Sequence, residues 1–136
     1  MASRLNPYLN FESNAREVMD FYKTVFGGTL TVSTFGEGGM PHDPAEAGKI
    51  MHAQLETPSG FCLMAADTPA SMGTPSAPGS ISLSGDDDAE LQGYWNRLSA
   101  GGKVTVPLEK APWGDSFGML VDKFGVPWLV NIAGRH

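Results

Sequence analysis

The chemistry-bearing residues of this 136-residue chain are few, and the most informative is His52. It lies in the run Ile50-Met51-His52-Ala53-Gln54-Leu55-Glu56. In a strand, alternation sends Ile50, His52, Gln54 and Glu56 to one face and Met51, Ala53 and Leu55 to the other. An imidazole titrates near neutrality, so His52 could act as general base or as a hydrogen-bond donor to a ligand. The competing reading is a structural histidine satisfied by its own hydrogen bonds. Asn6, Tyr8 and Asn10 alternate with Leu5, Pro7, Leu9 and Phe11, which gives a second polar face. A third cluster, Trp113-Gly114-Asp115-Ser116-Phe117, sets an aromatic and an acid at the start of a strand and suits one wall of a pocket. A turn at Gly114-Asp115 with Phe117 in the core is the alternative. His52 is thus the catalytic candidate, and Tyr8, Asn10, His52, Gln54, Trp113, Asp115 and Phe117 are the ligand-binding candidates.

The remaining polar residues carry less. His42-Asp43 falls in a Gly- and Pro-rich loop, and His136 ends the chain. The single cysteine, Cys62, excludes an intrachain disulfide and a multi-thiolate metal site, and reads as a small buried residue. No Gly-x-Ser-x-Gly context exists, and Gly36-x-Gly38-Gly39 is not followed by a helical pattern of the phosphate-binding kind. Glu109-Lys110, just before the Trp113–Phe117 cluster, could contribute charge to it, and otherwise reads as a solvated pair. The net charge is −6, and the 9 Lys and Arg form no cluster, so a nucleic-acid partner is not expected. There is no run of 18 apolar residues and no signal-type apolar segment at the start. The expectation is a cytoplasmic protein with no membrane partner, no cofactor and no metal, whose partner is an unknown small molecule.

These residues need elements to hold them. Residues 5–11 read as a strand with Pro7 at an edge or bulge. Ser13 or Asn14 can cap a helix whose stripe is Ala15, Val18, Met19, Tyr22 and Val25 or Phe26, stopped by Gly27-Gly28. Residues 29–35 read as a strand, 36–48 as a flexible loop, and 49–57 and 61–66 as a hairpin around Pro58-Ser59-Gly60. Residues 67–79 hold three Pro and two Gly and read as a linker. A strand then carries Ser80, Ser82 and Ser84, and Asp86-Asp87-Asp88 lead a helix over 89–100 with Leu91, Tyr94, Trp95 and Leu98 as its stripe. Strands follow at 103–108, 116–121 and 126–133.

The order strand, helix, three strands occurs twice. Gly28 falls on Gly102 at an offset of 74 residues, and with it Ala15 on Ala89, Phe21 on Trp95, Thr31 on Thr105 and Leu9 on Leu83. The hairpins register at 65, Gly60 on Gly125 and His52 on Phe117. The difference of nine residues is an insertion, the 36–48 loop. The organisation is a single domain over 1–136, built of module one at 1–66, a linker at 67–79 and module two at 80–136. Neither module alone covers the face of its half-sheet.

With this repeat, the blocks Asn-Ala-Arg-Glu-x-x-x-Phe-Tyr-x-x-x-Phe-Gly-Gly at 14–28 and Phe-Gly-Met-x-x-Asp-x-Phe-Gly-Val-x-Trp at 117–128 resemble the vicinal oxygen chelate superfamily. More narrowly, they resemble its PhnB-like branch within the glyoxalase/bleomycin resistance/dioxygenase group. The resemblance implies an α+β fold, two tandem βαβββ modules forming a curved mixed sheet with a concave cup, and a homodimer. It also places the metal ligands of metal-dependent members at or near Asn6, Met64, Ser80 and Leu129, which are poor donors for a divalent ion. The implied function is small-molecule binding in the cup without the metal quartet. The alternative is a lyase/isomerase- or dioxygenase-type enzyme using a metal or His52 in the same cup. A methyltransferase or DNA-binding role has no support, because there is no strand–Gly-rich-loop–helix unit and no basic patch.

Overall fold

Ala15, Val18, Met19, Tyr22, Val25 and Phe26 recur at three- and four-residue spacing, and all six are buried along helix α1 (Ala15–Phe26). Each large apolar member contributes about 1.5–3 kcal/mol by leaving water. The computed structural model describes residues 6–38, 44–68 and 79–134. The chain divides into two units, Met1–Ala77 and Pro78–His136.

In the first unit, α1 follows β1 (Tyr8–Phe11) and precedes β2 (Thr29–Thr34), β3 (Ile50–Glu56) and β4 (Cys62–Asp67). The sheet order is β1-β4-β3-β2, with β1 parallel to β4 and the other pairs antiparallel. One face of this sheet lies under α1, which packs on β2, β3 and β4. Leu9, Ala53, Leu55, Leu63 and Ala65 are buried on that face. Strand β1 starts at Tyr8, later than its alternation predicts. Pro7 has no N–H to give, but its carbonyl still accepts from the Met64 N–H at 3.0 Å. Leu5 lies outside the described residues.

Several boundaries differ from the sequence reading, each for a physical reason. The Asn14 side chain makes no capping bond. The free N–H of Ala15 goes instead to Asp67 Oδ1 at 2.9 Å, 52 residues away. Asp67 Oδ2 accepts from the Ile50 N–H at 2.8 Å. Asp67 therefore does not open the linker. It is the last residue of β4, 4% exposed, and it ties that strand to both the helix and β3. Phe35 leaves β2 and begins a one-turn helix, α2 (Phe35–Gly38). Thr34 and Glu37 cap that turn reciprocally: Thr34 Oγ1 donates to Glu37 Oε1 at 2.9 Å, and the Glu37 N–H donates to Thr34 Oγ1 at 3.1 Å. The expected loop also carries a 3₁₀ turn at Pro44–Glu46, pinned by a Lys49–Glu46 ion pair at 2.7 Å. His42-Asp43 lies outside the described residues. A register shift between Ser33 and Thr34 breaks the alternation of β3, and Ile50, predicted on the face of His52, is buried.

The second unit repeats the first. It contains β5 (Ile81–Gly85), α3 (Asp88–Ser99), β6 (Lys103–Lys110), β7 (Ser116–Val121) and β8 (Pro127–Ile132) in the order β5-β8-β7-β6. Helix α3 starts one residue before the predicted Ala89, because Asp87 serves as its cap and accepts from the Glu90 N–H at 3.0 Å. Leu91, Tyr94, Trp95 and Leu98 are buried. Strand β6 runs two residues past Leu108, since Glu109 and Lys110 pair with Phe117 and Ser116. Asp122, 3% exposed, closes the β7–β8 hairpin. Its Oδ1 accepts from the N–H groups of Phe124 at 2.9 Å and Val126 at 3.1 Å, and its Oδ2 from the indole N–H of Trp128 at 2.9 Å.

The pairing registers reproduce the predicted offsets. Tyr8 pairs with Met64, and their counterparts Ser82 and Leu129 pair with each other. Gln54 pairs with Met64 as Met119 pairs with Leu129. A Cβ on Gly28 would collide with the backbone of Glu56, and one on Gly102 with the backbone of Val121, so both helices leave by the same close approach. The fold is α+β, and the described residues form two four-stranded mixed sheets and three α-helices.

Candidate functional site

Alternation decides which side chains the first sheet shows on the face that α1 does not cover. Because Tyr8 pairs with Met64, Met64 with Gln54 and Gln54 with Thr31, these four form one row across the strands. Asn10 pairs with Ala66, and His52 with Ser33, on the same face. Four of the predicted ligand-binding residues, Tyr8, Asn10, His52 and Gln54, therefore share one face of one sheet. Asn10, His52 and Gln54 are half-buried, while Tyr8 is exposed.

Contacts on this face are specific. The Tyr8 and His52 rings have centroids 6.1 Å apart with planes tilted by 32°. His52 Nε2 lies 3.4 Å from Gln54 Oε1, and Gln54 Nε2 donates to Glu56 Oε1 at 3.1 Å. The three side chains form a polar ladder along β3, capped by the phenol of Tyr8. Partial burial pushes the Tyr8 phenol above the ordinary tyrosine range, because the phenolate loses hydration there. Glu56 was not among the ligand-binding candidates. Its signal was available, as it is the next residue of the same alternating face. Thr31 and Ser33 were legible in the same way, from the polar members of β2.

In the second unit, Phe117 pairs with Asn131 on the face that α3 leaves open. Trp113, 57% exposed, sets its ring edge against Phe117 at 6.0 Å. Both carboxylate oxygens of Asp115 are engaged: Oδ2 accepts from Asn131 Nδ2 at 3.0 Å and Oδ1 from the Gly134 N–H at 2.9 Å. Asp115 thereby fastens the residues after β8 to the turn before β7. Beside it lies a cleft of about 740 Å³ bordered by Gly114 and Ser116 of the predicted pocket wall, by Lys110, and by Asp86 and Asp88, which sequence reasoning did not link to it. Its acids and its lysine come from separate elements, which no local pattern links.

Among the described residues, no three His, Cys, Asp or Glu side chains converge as a metal-binding group. His136 lies outside the described residues. Cys62 is buried, as predicted. No helix among the described residues is long and apolar enough to cross a membrane.

Comparison with known proteins agrees with this architecture. A model of the Glyoxalase/Bleomycin resistance protein/Dioxygenase superfamily matches residues 4–130. Protein YjdN of Escherichia coli (strain K12) is 27% identical, over 97% of this chain and 97% of its own. Among solved structures, protein PA1353 from Pseudomonas aeruginosa is 40% identical with a TM-score of 0.81, covering 97% of this chain and 98% of that one. The PhnB protein from Bacillus cereus is 25% identical with a TM-score of 0.73, covering 96% of this chain and all of that one, 100%. With two βαβββ units in matching register and a family model that spans nearly all of it, the chain belongs to the Glyoxalase/Bleomycin resistance protein/Dioxygenase superfamily.

Proposed function

We propose that the protein binds a small organic molecule on the helix-free face of its first sheet, with Tyr8, Asn10, His52 and Gln54 as the contact residues. The observation that carries this reading is the ladder of His52, Gln54 and Glu56 beside the ring of Tyr8. An aromatic wall next to directional donors and acceptors is what fixes the orientation of a small ligand. Trp113 and Phe117 are assigned to ligand contact in the second unit, and Asp115 to holding their turn.

The family's metal positions fit a divalent ion poorly in this chain. A carboxamide at Asn6, a thioether at Met64, a hydroxyl at Ser80 and an alkyl chain at Leu129 lack the imidazoles and carboxylates that such ions prefer. The reading is therefore of a binding protein that does not use that quartet. A homodimer is part of the proposal, on family grounds, and a cytoplasmic location is carried over from the sequence reading. An enzyme with His52 as base is the second reading, favoured by the position of His52 on the open face.

The test is a chemical-shift map of the labelled protein against a library of aromatic and amide fragments. Shifts gathered on Tyr8, His52 and Gln54, and lost in His52→Ala, support the proposal. Binding that perturbs none of the three refutes it. Stoichiometric, tight uptake of zinc or nickel that Met64→Ala abolishes would overturn the metal-free reading.

A further inference from the structure

Residues 52, 54 and 56 project from the same face of β3, so their side chains stand in sequence along the strand. A carboxylate only accepts hydrogen bonds. Glu56 therefore turns the amide end of Gln54 toward itself, and Gln54 Nε2 donates to Glu56 Oε1 at 3.1 Å. That choice leaves Gln54 Oε1 facing His52 Nε2 at 3.4 Å. A carbonyl oxygen is an acceptor only, so Nε2 must bring the proton.

We infer that Glu56, acting through Gln54, fixes the neutral His52 ring as its Nε2–H tautomer and leaves Nδ1 as the ring's acceptor. Glu56 and Gln54 are then positioning residues, and a ligand that engages the neutral ring at Nδ1 must offer an N–H or O–H donor. This last step rests on the binding function proposed above. The tautomer itself is a property of the free protein and can be tested without any ligand.

The experiment uses the full chain labelled with ¹⁵N in its histidine rings, at about pH 9, above the ordinary histidine range. Of the 3 histidines, the His52 signals are those missing from His52→Gln. The expected result is a ring dominated by Nε2–H. Gln54→Leu should raise the ratio of Nδ1–H to Nε2–H about fivefold, the equivalent of one hydrogen bond of about 1 kcal/mol. Glu56→Gln should move it the same way by less, because an amide can accept or donate and no longer dictates which end of Gln54 faces the ring. Both substitutions are on the open face of a strand, and the far-UV circular dichroism of each variant checks that it is folded. A ring dominated by Nδ1–H, or a ratio unchanged in both variants, overturns the inference. A ratio that responds to Gln54→Leu but not to Glu56→Gln overturns the part assigned to Glu56. An Nε2–H ring in a protein that binds none of the fragments upholds the inference and refutes the binding function.

Discussion

Replacing Asp67 with alanine should destabilise the protein strongly. Its two oxygens accept from the N–H groups of Ala15 at 2.9 Å and Ile50 at 2.8 Å. Ala15 is 0% exposed and Ile50 3%, so water cannot take over either donor. A hydrogen bond to a charged group contributes about 1.5–3 kcal/mol, so losing both costs about 3–6 kcal/mol. At about 2.1 cal/mol/K of unfolding entropy per residue, this corresponds to a fall in Tm of about 10–20 °C for a chain of this length. Asp67→Asn keeps one acceptor and turns an amide donor toward the other N–H, so it should lose about half as much or slightly more. Urea unfolding followed by far-UV circular dichroism gives both values, with Asp20→Ala on the exposed side of α1 as the control, within about 0.5 kcal/mol of the parent. A loss below about 1 kcal/mol for Asp67→Ala at unchanged m-value would refute the idea that this carboxylate joins helix, β3 and β4.

Other consequences are open to direct measurement. Asp122→Ala removes three acceptor contacts from a buried carboxylate, so it should cost at least as much as Asp67→Ala and shift the protein's tryptophan emission, because the buried indole N–H of Trp128 loses its acceptor. Gly28→Ala and Gly102→Ala should each be strongly destabilising, since each new Cβ meets the backbone of the following hairpin, with Gly28→Ala the costlier because its φ of 102° adds backbone strain; a mild effect at either would contradict the shared close approach. The Tyr8 phenol should titrate above 10.0, the usual tyrosine value, in an NMR titration in which Tyr8→Phe identifies the resonance. Because its folded-state pKa is raised, the contribution of Tyr8 to stability is intact below pH 10.0 and falls as pH climbs from there through the folded value, so Tyr8→Phe should flatten that decline. Light scattering after size exclusion should give twice the chain mass, and a monomer at micromolar concentration would remove the homodimer from the proposal.

The sequence revealed whatever repeats along a single element. The α1 and α3 stripes, the face of His52 and the offsets of 74 and 65 residues were visible because a helix or strand imposes its own period. What it concealed depends on partners far along the chain. Nothing near Asn14 announces that Asp67 supplies the cap, and nothing in β3 announces the bulge opposite Ser33 that buries Ile50. The α2 turn is a different case. Thr34-Phe35-Gly36-Glu37 is a local capping-box pattern that the surrounding glycines mask. In the site, periodicity placed Tyr8, Asn10, His52 and Gln54 on one face. It could not distinguish Asp115 as a fastener, because its partners Asn131 and Gly134 come 16 and 19 residues later.

The long reach from Ala15 to Asp67 also sets an order of events during synthesis. Helix α1 emerges from the ribosome 52 residues before the carboxylate that caps it, and β1 emerges before β4, its hydrogen-bonding partner. At about 5–20 residues per second, the N–H of Ala15 waits about 3–10 s for its acceptor. The hairpin of β3 and β4 needs no such delay. The first unit can thus close only once β4 has been made, because β1 and the first N–H of α1 both take their partners from that strand.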